Sequence, residues 1–591
     1  MQVDLSRNIV CRPSWRLFVI GRFKGFQTKV PGDGSAESLR VEKFFVQTGL
    51  ARSTPSNGGG VIVFARMPSV GLLGVDGKLV HVEVSISSGL PRFEIVGLPG
   101  SEVREAKERV RAAIENSGYP FPLRRIVANL TPADWKKEGA GWDLPLALAI
   151  LGAASVIPVE RVARMVAVGE LTLDGVVKDV RGMLPVARTA KRIGLPLLCS
   201  VDSLDLVRTI EGLQVLPVRS LRQAVEAVQG TFFGAAVARE SVAPDLERGE
   251  DFADLIGMEH AKRACEIAAA GWHPLFLTGP PGSGKTALGM RITGILPPLS
   301  TEEAVEVTSI HSAAHLSADV RPSFHRPFRN PHHSISASGL LGGGSYPRPG
   351  EVSLAHRGVL FLDEFPEFSR TAVEGLRQPL ESREITVVRN QIPVTFPAQI
   401  LFVAASNLCP CGRSGTDETC HCSPALLQRY YSRMSAPILD RMDLFVEVAR
   451  LRLSPLEGTN GIPESSRIIR ARVEAAWKRQ QQRQPKSAFP FNAGYSLQDL
   501  RRWAPLTRHA RDLLETAYDR LGLSTRAFHR VWRVARTIAD LAGHDAVERE
   551  DVAEALQYRR RLSALVDTKD MPGITPVSLE PNRTGAGRFT E

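Results

Sequence analysis

The stretch LFLTGPPGSGKTALGMRITGI, residues 275–295, predicts the fold of the middle of this chain. It carries the pattern G-x-x-x-x-G-K-[ST], with an apolar run typical of a strand before it and a run that favours a helix after it. Glycines allow backbone N–H groups to wrap around a polyphosphate, and the N-terminus of the following helix adds a favourable dipole. The pattern predicts a nucleotide-binding cradle formed by Gly279, Pro280, Pro281, Gly282, Ser283, Gly284, Lys285 and Thr286.

Two side chains of this cradle have separate predicted tasks, and a second strand supplies their partners. Lys285 would bring a positive charge to the β and γ phosphates of ATP, and Thr286 would offer its hydroxyl to Mg²⁺. The apolar run GVLFLDE, residues 358–364, ends in two carboxylates. Alone, such a run is usually a strand end that meets solvent. Beside the cradle, we expect Asp363 to hold the Mg²⁺ shell and Glu364 to orient and polarise the attacking water.

A third apolar strand, ILFVAAS at residues 400–406, ends at Asn407. An amide at the tip of a strand beside the first two fits a contact with the γ-phosphate or with water, although alone it would be only a turn residue. Short apolar strands alternate with helical segments from residue 252 to about 450, which favours a largely parallel sheet. Together these features predict an AAA+ ATPase core of the α/β class that uses ATP and Mg²⁺.

Four cysteines lie within fourteen residues, shortly after Asn407. Four thiolates at short, paired spacing suit tetrahedral Zn²⁺, although C-x-C pairs are less usual than C-x₂-C pairs. Free thiols, another metal or a redox role are the alternatives, and His421 could replace one ligand. The predicted zinc ligands are Cys409, Cys411, Cys420 and Cys422. The scattered cysteines, expected to be buried or inert, are Cys11, Cys199 and Cys265.

Composition excludes several classes of protein. The chain has 591 residues, of which 43% are apolar and 23% charged, as is ordinary for a soluble protein of several domains. A mostly disordered chain, a collagen-like fibre and a small disulfide scaffold are therefore excluded. No apolar stretch is long enough for a polytopic membrane protein, and the absence of an export signal predicts a cytoplasmic one.

The positive charge is concentrated near the C-terminus. The formal net charge is +11, and residues 451–561 hold 21 basic and 13 acidic side chains, a local excess of +8. Such an excess suits a polyanionic partner such as nucleic acid. A solvated, arginine-rich helical surface is an equally good explanation of charge alone.

The pattern along the chain predicts six segments. Residues 1–60 form a disordered or spurious leader, 61–234 a mixed domain of strands and helices, and 235–251 a linker. Residues 252–450 form the ATPase core, 451–565 a helix-rich domain, and 566–591 a disordered tail. Within the helix-rich domain, the pattern predicts helices over residues 465–483, 507–521, 524–542 and 548–562.

Three longer stretches carry a family resemblance. They are FRNPHHSISASGLLGGGSYPRPGEVSLAHRGVLFLDEFPEF (328–368), SNLCPCG (406–412) and SRMSAPILDRMDLFVEV (432–448). These stretches resemble the magnesium-chelatase-like AAA+ ATPases, in particular the YifB/ComM group, and the resemblance runs from about residue 61 to 565. It implies a homo-oligomeric ring, expected to be a hexamer, in which each active site lies between two subunits.

The resemblance also implies roles for two arginines. Arg441, in ILDRMDLF, matches the arginine that a neighbouring subunit contributes to the transferred phosphate; the alternative is a surface salt bridge with Asp440 or Asp443. Arg526, in LSTRAFHR, matches the arginine of the helical lid that contacts the nucleotide. Three nearby residues are expected to form a basic helix face instead, namely Arg530, Arg533 and Arg536.

The N-terminal domain resembles the proteolytic domain of Lon proteases, an α+β fold like domain 2 of ribosomal protein S5. Residues 137–143, KEGAGWD, occupy the place of the nucleophilic serine in such proteases, and they contain no serine. Lys178 matches the position of the dyad lysine, but a lysine without its nucleophile cannot form an acyl-enzyme. We therefore expect a scaffold or a DNA-handling module and no protease activity.

The resemblance implies a DNA motor that acts as a helicase or in branch migration of recombination intermediates during natural transformation. Its partner would be DNA, branched or single-stranded, gripped without reading of sequence. The alternative, from a different class, is the ATPase subunit of a metal chelatase that works on a tetrapyrrole through a partner protein, or another AAA+ protein that remodels a partner. No membrane partner is expected.

Overall fold

The computed structural model describes residues 63–231, 250–314, 323–344, 347–389, 392–416, 419–450 and 464–559. The predicted leader, nearly all of the predicted linker, the predicted tail and Cys11 lie outside these residues. The described part is a mixed α/β structure with helices at its C-terminal end.

Nine strands form the sheets of the described N-terminal residues. They are β1 Val63–Leu73, β2 Asp76–Ser87, β3 Arg92–Val96, β4 Arg125–Thr131, β5 Val166–Ala167, β6 Glu170–Leu171, β7 Val177–Lys178, β8 Leu197–Ser200 and β9 Val215–Val218. The main sheet has the order β1-β2-β4-β3, a second has the order β5-β8-β9, and β6 pairs with β7. Buried and accessible residues alternate along β2, because only one face of the strand meets the core.

Six helices accompany these strands. They are α1 Ser101–Asn116, α2 Asp143–Ala153, α3 Val159–Val162, α4 Met183–Ile193, α5 Leu204–Val207 and α6 Leu221–Gln229. Every residue of α2 is buried, and this helix packs on β1 and β2. A helix that is apolar on all sides is expected to lie inside a domain, and here α2 is the centre of the N-terminal core.

The N-terminal part packs directly on the ATPase core. Val75, in the turn between β1 and β2, belongs to an apolar cluster with Ile310, Val394 and Phe396. The backbone N–H of Gly182 also donates a hydrogen bond to Ser312 Oγ at 3.2 Å. The described N-terminal part and the predicted ATPase core are therefore in direct contact through apolar packing and a hydrogen bond.

The core is built on a parallel sheet with the order β11-β14-β17-β10-β18. Its strands and the two accompanying hairpins are β10 Leu275–Thr278, β11 Phe328–Arg329, β12 Gly342–Gly343, β13 Arg348–Pro349, β14 Val359–Leu362, β15 Glu384–Arg389, β16 Ile392–Pro397, β17 Leu401–Ser406 and β18 Leu444–Glu447. The strands β14 and β17 are buried along their whole length, which explains why their sequences are apolar without alternation.

Nine helices surround this sheet within the described residues. They are α7 Glu259–Gly271, α8 Lys285–Arg291, α9 Thr301–Ala313, α10 Ala337–Leu341, α11 Glu351–Leu354, α12 Arg370–Gly375, α13 Arg377–Ser382, α14 Pro424–Arg433 and α15 Ala436–Leu439. Because the strands are parallel, their carboxyl ends share one edge of the sheet and their amino ends share the other. These two edges are called the carboxyl edge and the amino edge below.

The described C-terminal residues are helical, as predicted. Their helices are α16 Ser466–Arg483, α17 Leu497–Trp503, α18 Arg508–Leu521, α19 Thr525–Ala542 and α20 Arg549–Gln557. Helices α18 and α19 begin one residue later than their patterns suggest, because Thr507 and Ser524 are caps whose hydroxyls accept backbone N–H bonds. The predicted C-terminal helix ends earlier, at Gln557, and residues 560–562 lie outside the description.

The prediction that Arg530, Arg533 and Arg536 form a basic helix face is wrong. Arg536 is fully buried and donates hydrogen bonds to Asp540 Oδ1 at 2.9 Å and to the carbonyl of Asp545 at 2.8 Å. Arg530 is 9% exposed, and Arg533 is partly buried. Charge alone suggests that these side chains lie in solvent, but acceptors inside the protein hold two of the guanidinium groups. The carbonyl of Met442 accepts from Arg530, and Asp540 and backbone carbonyls accept from Arg536.

Candidate nucleotide-binding site

The loop between β10 and α8 has the shape of a phosphate cradle. Gly282 and Gly284 have φ angles of 75° and 92°, in the left-handed region that glycine adopts readily. A Cβ atom on Gly279 would lie 2.2 Å from the carbonyl oxygen of Val448, so only glycine fits there. The hydroxyl of Ser283 is buried without a hydrogen-bond partner among the described residues. The loop therefore fits a ligand rich in oxygen atoms.

Lys285 lies across this loop and is buried. Its Nζ donates hydrogen bonds to the carbonyls of Gly279 at 2.9 Å and Pro280 at 2.8 Å, and to Asn407 Oδ1 at 3.1 Å. Burial lowers the pKa of Lys285, and the charge of Asp363 opposes that shift. The structure thus brings Lys285 and Asn407 into contact. Lys285 lies after β10 and Asn407 directly after β17, and these two strands are parallel neighbours.

The hydroxyl and the carboxylate predicted to hold Mg²⁺ are in contact. Thr286 Oγ1 donates a hydrogen bond to Asp363 Oδ2 at 2.6 Å. Mg²⁺ prefers hard oxygen ligands, and in proteins it usually combines one or two protein oxygens with substrate phosphates and water. The adjacent hydroxyl and carboxylate oxygens of Thr286 and Asp363 are ligands of this kind. The residues present therefore fit the ion.

Glu364 lies beside this pair with its side chain accessible. Its φ angle of 51° is left-handed, which is uncommon for a residue other than glycine and is found often at active sites. Its backbone N–H donates to Asp363 Oδ1 at 2.9 Å, and its side chain is 55% exposed. The carboxylate is therefore accessible to a water molecule near the cradle.

His333 is a site residue that the sequence analysis missed. Its Nδ1 lies 3.1 Å from Glu364 Oε2, and its ring meets the edge of Phe368. The residue stands within the stretch FRNPHHSIS, but a histidine in a loop has no periodic pattern that would assign it a partner. His333 precedes Glu364 by more than thirty positions in the sequence, and only the fold brings its loop to the end of β14.

Arg441 and Arg526 lie away from the cradle of their own chain. Arg441 donates to the carbonyl of Pro437 at 2.6 Å and pairs with Glu381, so neither predicted aspartate is its partner. Arg526 is 78% exposed, and its Nη1 lies 3.7 Å from Asp440 Oδ2. Both arginines are thus close to the start of β18, at the amino edge of the sheet, whereas the cradle follows the carboxyl end of β10. The structure does not bring them to the cradle of their own chain.

The four clustered cysteines converge on one point. Their sulfur atoms all lie within 4.8 Å of one another, and the Sγ atoms of Cys409 and Cys411 are 3.3 Å apart. Tetrahedral zinc with four thiolates separates its sulfurs by about 3.8 Å, given Zn–S bonds of ~2.3 Å. Burial raises the pKa of Cys409, whereas a hydrogen bond from the backbone N–H of Arg413, with help from the neighbouring thiols, lowers that of Cys411 to about 6. His421 is not a member of the group.

The cysteine loop also touches the cradle. A Cβ atom on Gly412 would lie 3.1 Å from Pro281 Cγ, and one on Gly415 would lie 3.6 Å from Pro280 Cδ. The loop begins directly after Asn407, which contacts Lys285. Any ion that holds the four sulfurs together would therefore stiffen one wall of the nucleotide site. The scattered Cys199 and Cys265 are buried, and burial raises the pKa of each to about 12, as expected for inert thiols.

Two charged residues of the segment 137–143, which resembles the region of the nucleophilic serine in Lon proteases, are buried. Lys137 is fully buried, and its Nζ donates to the carbonyl of Trp135 at 2.9 Å. Asp143 is buried against Arg109, whose Nε donates to its Oδ2 at 2.8 Å; burial raises the pKa of Asp143 to about 6 while Arg109 opposes the shift. Lys178 is exposed on β7. Residues 137–143 contain no serine, threonine or cysteine.

Comparison with known proteins defines the class first. Residues 251–456 match the family described as magnesium chelatase, subunit ChlI; residues 463–559 match the C-terminal region of that subunit, and residues 82–199 match a further model of it. Together with the cradle and its carboxylates, these matches define a magnesium-chelatase-like ATPase of the AAA+ type.

Similarity to whole proteins gives the family. The chain is 41% identical to YifB of Escherichia coli over 489 residues, which cover 82% of this chain and 95% of YifB. It is 39% identical to the competence protein ComM of Haemophilus influenzae over 504 residues, 84% of this chain and 98% of ComM. The chain therefore belongs to the YifB/ComM family of magnesium-chelatase-like proteins.

A weaker similarity extends to Lon protease 2 of Bacillus subtilis, with 30% identity over 163 residues, 25% of this chain and 28% of that protein. Separately, a search of the described helices finds none that is both long and apolar enough to cross a membrane.

Proposed function

We propose that this protein is a Mg²⁺-dependent ATPase that works as a hexameric motor on DNA, with helicase or branch-migration activity on recombination intermediates. The observation that carries the proposal is the contact of Lys285 with Asn407 and of Thr286 with Asp363 in one cradle. Glu364 stands beside them. The role in natural transformation is suggested by the name of its relative, the competence protein ComM.

The separation of the site into two halves supports the proposed ring. The cradle lies at the carboxyl edge of the sheet, whereas Arg441 and Arg526 lie at the amino edge of the same sheet. One subunit offers the cradle and the next offers the arginines, a head-to-tail contact that closes into a ring when the rotation permits. The closed ring places one arginine pair at every nucleotide.

Hydrolysis would use residues of both subunits. Lys285 would leave its carbonyl partners for the β and γ phosphates, and Thr286 and Asp363 would hold Mg²⁺, which when bound neutralises phosphate charge. Glu364 would accept a proton from the attacking water, and its contact with His333 would fix the direction of its carboxylate. Arg441 of the next subunit would stabilise the charge that develops on the transferred phosphate.

The case for DNA as the partner rests on charge and on the family. The excess of +8 in residues 451–561 attracts a polyanion, although the burial of Arg530 and Arg536 reduces the number of arginines that can reach it. Contacts of this kind bind phosphates and do not read sequence.

The test is the ATP hydrolysis rate with and without branched and single-stranded DNA, repeated at several salt concentrations. We expect DNA to stimulate hydrolysis and its apparent affinity to fall with salt, with a slope of roughly −0.7 to −0.9 per phosphate contact on a log–log plot. A substantial basal rate that no DNA changes would contradict the motor proposal.

A second function from another class has one specific observation in its favour. All three family matches are described by a subunit of magnesium chelatase. As such a subunit, or as another protein that remodels a partner, the chain would hydrolyse ATP in response to a protein. If a partner protein stimulated ATP hydrolysis and DNA did not, this alternative would be favoured over the DNA motor.

We also propose that the four cysteines bind a structural zinc ion. The four sulfur atoms lie within 4.8 Å of one another, and four thiolates are a donor set that closed, tetrahedral zinc sites use. Because the loop they hold packs on Pro280 and Pro281, the ion would stabilise the wall of the nucleotide site without taking part in hydrolysis.

Replacing Cys411 with serine should remove the zinc, because a hydroxyl is a poor substitute for a thiolate ligand. The wild-type protein, purified without chelators, should hold near-stoichiometric zinc by elemental analysis, and Cys411→Ser should lose most of it. His421→Ala is the matched control, next to the cluster but outside it, and should keep its metal. Metal-free wild-type protein, or a Cys411→Ser variant with unchanged zinc, would show that this assignment is wrong.

A further inference from the structure

A cavity of about 320 Å³ lies between the core and the C-terminal helices, away from the cradle. Its core side is formed by residues just before three parallel strands, such as Pro274 before β10, Gln399 before β17 and Asp443 before β18. The cavity therefore opens at the amino edge of the sheet. Its size is at the lower end of the ~300–1,000 Å³ that small-ligand sites occupy.

Positive charge dominates the lining of this cavity. Its two lining carboxylates, Glu381 and Asp443, are already engaged by lining arginines: Arg441 pairs with Glu381, and Arg530 Nε lies 3.7 Å from Asp443 Oδ1. The lining arginines are Arg383, Arg441, Arg530 and Arg533. The cavity thus holds more cationic than anionic side chains.

Two of these arginines have no carboxylate within ion-pair distance in the described part of the chain, namely Arg383 and Arg533. Both are partly buried, and burial lowers the pKa of each. The charge of Arg533 lowers the pKa of Arg383 further. The charges of Asp443 and Asp499 oppose the lowering of the pKa of Arg533, so Arg383 is the less compensated of the two cations. Keeping like charges together in a desolvated place is unfavourable unless an anion joins them.

Residues that line the cavity also carry buried hydrogen-bond donors without acceptors. Arg533 Nε, Gln399 Nε2 and Trp272 Nε1 have no partner among the residues described here. Arg383 is held in place by the ring of Phe489, whose centroid lies 3.6 Å from its guanidinium carbon. A stacked guanidinium loses little freedom when it binds, and it matches the oxygens of a phosphate in pairs.

We propose that this cavity binds a phosphate group through Arg383 and Arg533. The phosphate comes from one of two sources, the nucleotide held by a neighbouring subunit or the backbone of DNA. The nucleotide of the same subunit is excluded, because its cradle lies at the opposite edge of the sheet. The site is distinct from the cradle and from the cysteine cluster.

The binding test uses the full chain with Lys285→Ala, which disables the cradle, and inorganic pyrophosphate as the probe. Isothermal titration should show binding that Arg383→Gln or Arg533→Gln weakens by about 10- to 100-fold, as expected for the loss of a charged hydrogen bond. Arg520→Gln, an exposed arginine on α18, is the matched control and should bind like its parent. This result does not depend on hydrolysis or on DNA, so it stands or falls separately from the proposed motor.

Folding of the variants is checked by thermal unfolding, and Arg533→Lys, which keeps the charge, should retain more of the pyrophosphate affinity than Arg533→Gln.

Two further measurements with Lys285 intact distinguish the two sources of the phosphate. If the phosphate belongs to a neighbour's nucleotide, Arg383→Gln raises KM for ATP and leaves DNA affinity unchanged. If it belongs to DNA, DNA affinity falls and its salt slope decreases by about one phosphate contact, with KM unchanged. Pyrophosphate binding that is absent, or equal in folded Arg383→Gln, Arg533→Gln and control proteins, would overturn the proposal.

Discussion

Replacing Arg441 with alanine should lower the ATP hydrolysis rate by about 10³- to 10⁵-fold, the range for an arginine that stabilises phosphoryl transfer from a neighbouring subunit. The rate should fall because Arg441 lies at the amino edge of the sheet, where in the proposed ring it would meet the nucleotide of the neighbouring subunit. In its own chain, its partners are Glu381 and the carbonyl of Pro437. Nucleotide binding should remain, because the cradle of the same subunit is intact. Fluorescent nucleotide binding and a steady-state rate measure the two effects separately.

Mixing variants distinguishes an arginine that acts between subunits from one that acts within its own. Arg441→Ala subunits keep an intact cradle and Glu364, and Glu364→Gln subunits keep an intact arginine. Random mixing in equal amounts should make about a quarter of the interfaces complete and restore a corresponding share of activity, because each interface takes one half-site from each neighbour. Arg520→Ala serves as the exposed control. Normal hydrolysis by Arg441→Ala alone, or no recovery on mixing, would contradict a shared site.

Replacing Glu364 with glutamine should lower the hydrolysis rate by about 10²- to 10⁴-fold, as expected when a general base is lost. Nucleotide should still bind, because Lys285, Thr286 and Asp363 keep their contacts in the cradle. The change removes one negative charge and almost no volume, so the fold should not suffer. Single-turnover hydrolysis with pre-bound ATP measures the chemical step directly.

Lys285→Ala is the comparison that separates binding from chemistry in this site. It should lose nucleotide affinity, because the cradle would lose the positive charge that Lys285 brings to the β and γ phosphates. If Glu364→Gln lost affinity as strongly as Lys285→Ala while still folded, Glu364 would have a role in binding. A Glu364→Gln rate within a few-fold of the wild type would show that another group activates the water.

Local patterns explain what could be predicted from the sequence. The cradle is one continuous loop between a strand and a helix, so its glycines, Lys285 and Thr286 could be identified from spacing alone. Asp363, Glu364 and Asn407 stand at the ends of buried strands, whose apolar runs are easy to recognise. Parallel strands then bring these ends to one edge, and the contacts of Lys285 and Thr286 agree with that expectation.

Features that depend on packing between distant segments could not be predicted. The contact of His333 with Glu364 joins a loop to a strand end, and nothing in a single histidine signals it. Arg536 was expected in solvent, but Asp540 and backbone carbonyls accept its hydrogen bonds inside the protein. The cavity around Arg383 and Arg533 combines the hairpin region of the core with α19, and only the fold shows that these arginines meet.

The most direct test of the proposed motor is the movement of a synthetic four-way DNA junction by wild-type protein, followed as the appearance of separated duplexes. The account predicts movement that requires ATP and Mg²⁺, is lost in Glu364→Gln, and returns in part when Glu364→Gln is mixed with Arg441→Ala. Active ATP hydrolysis by wild-type protein that leaves the junction unmoved, or movement by Glu364→Gln at the wild-type rate, would contradict it.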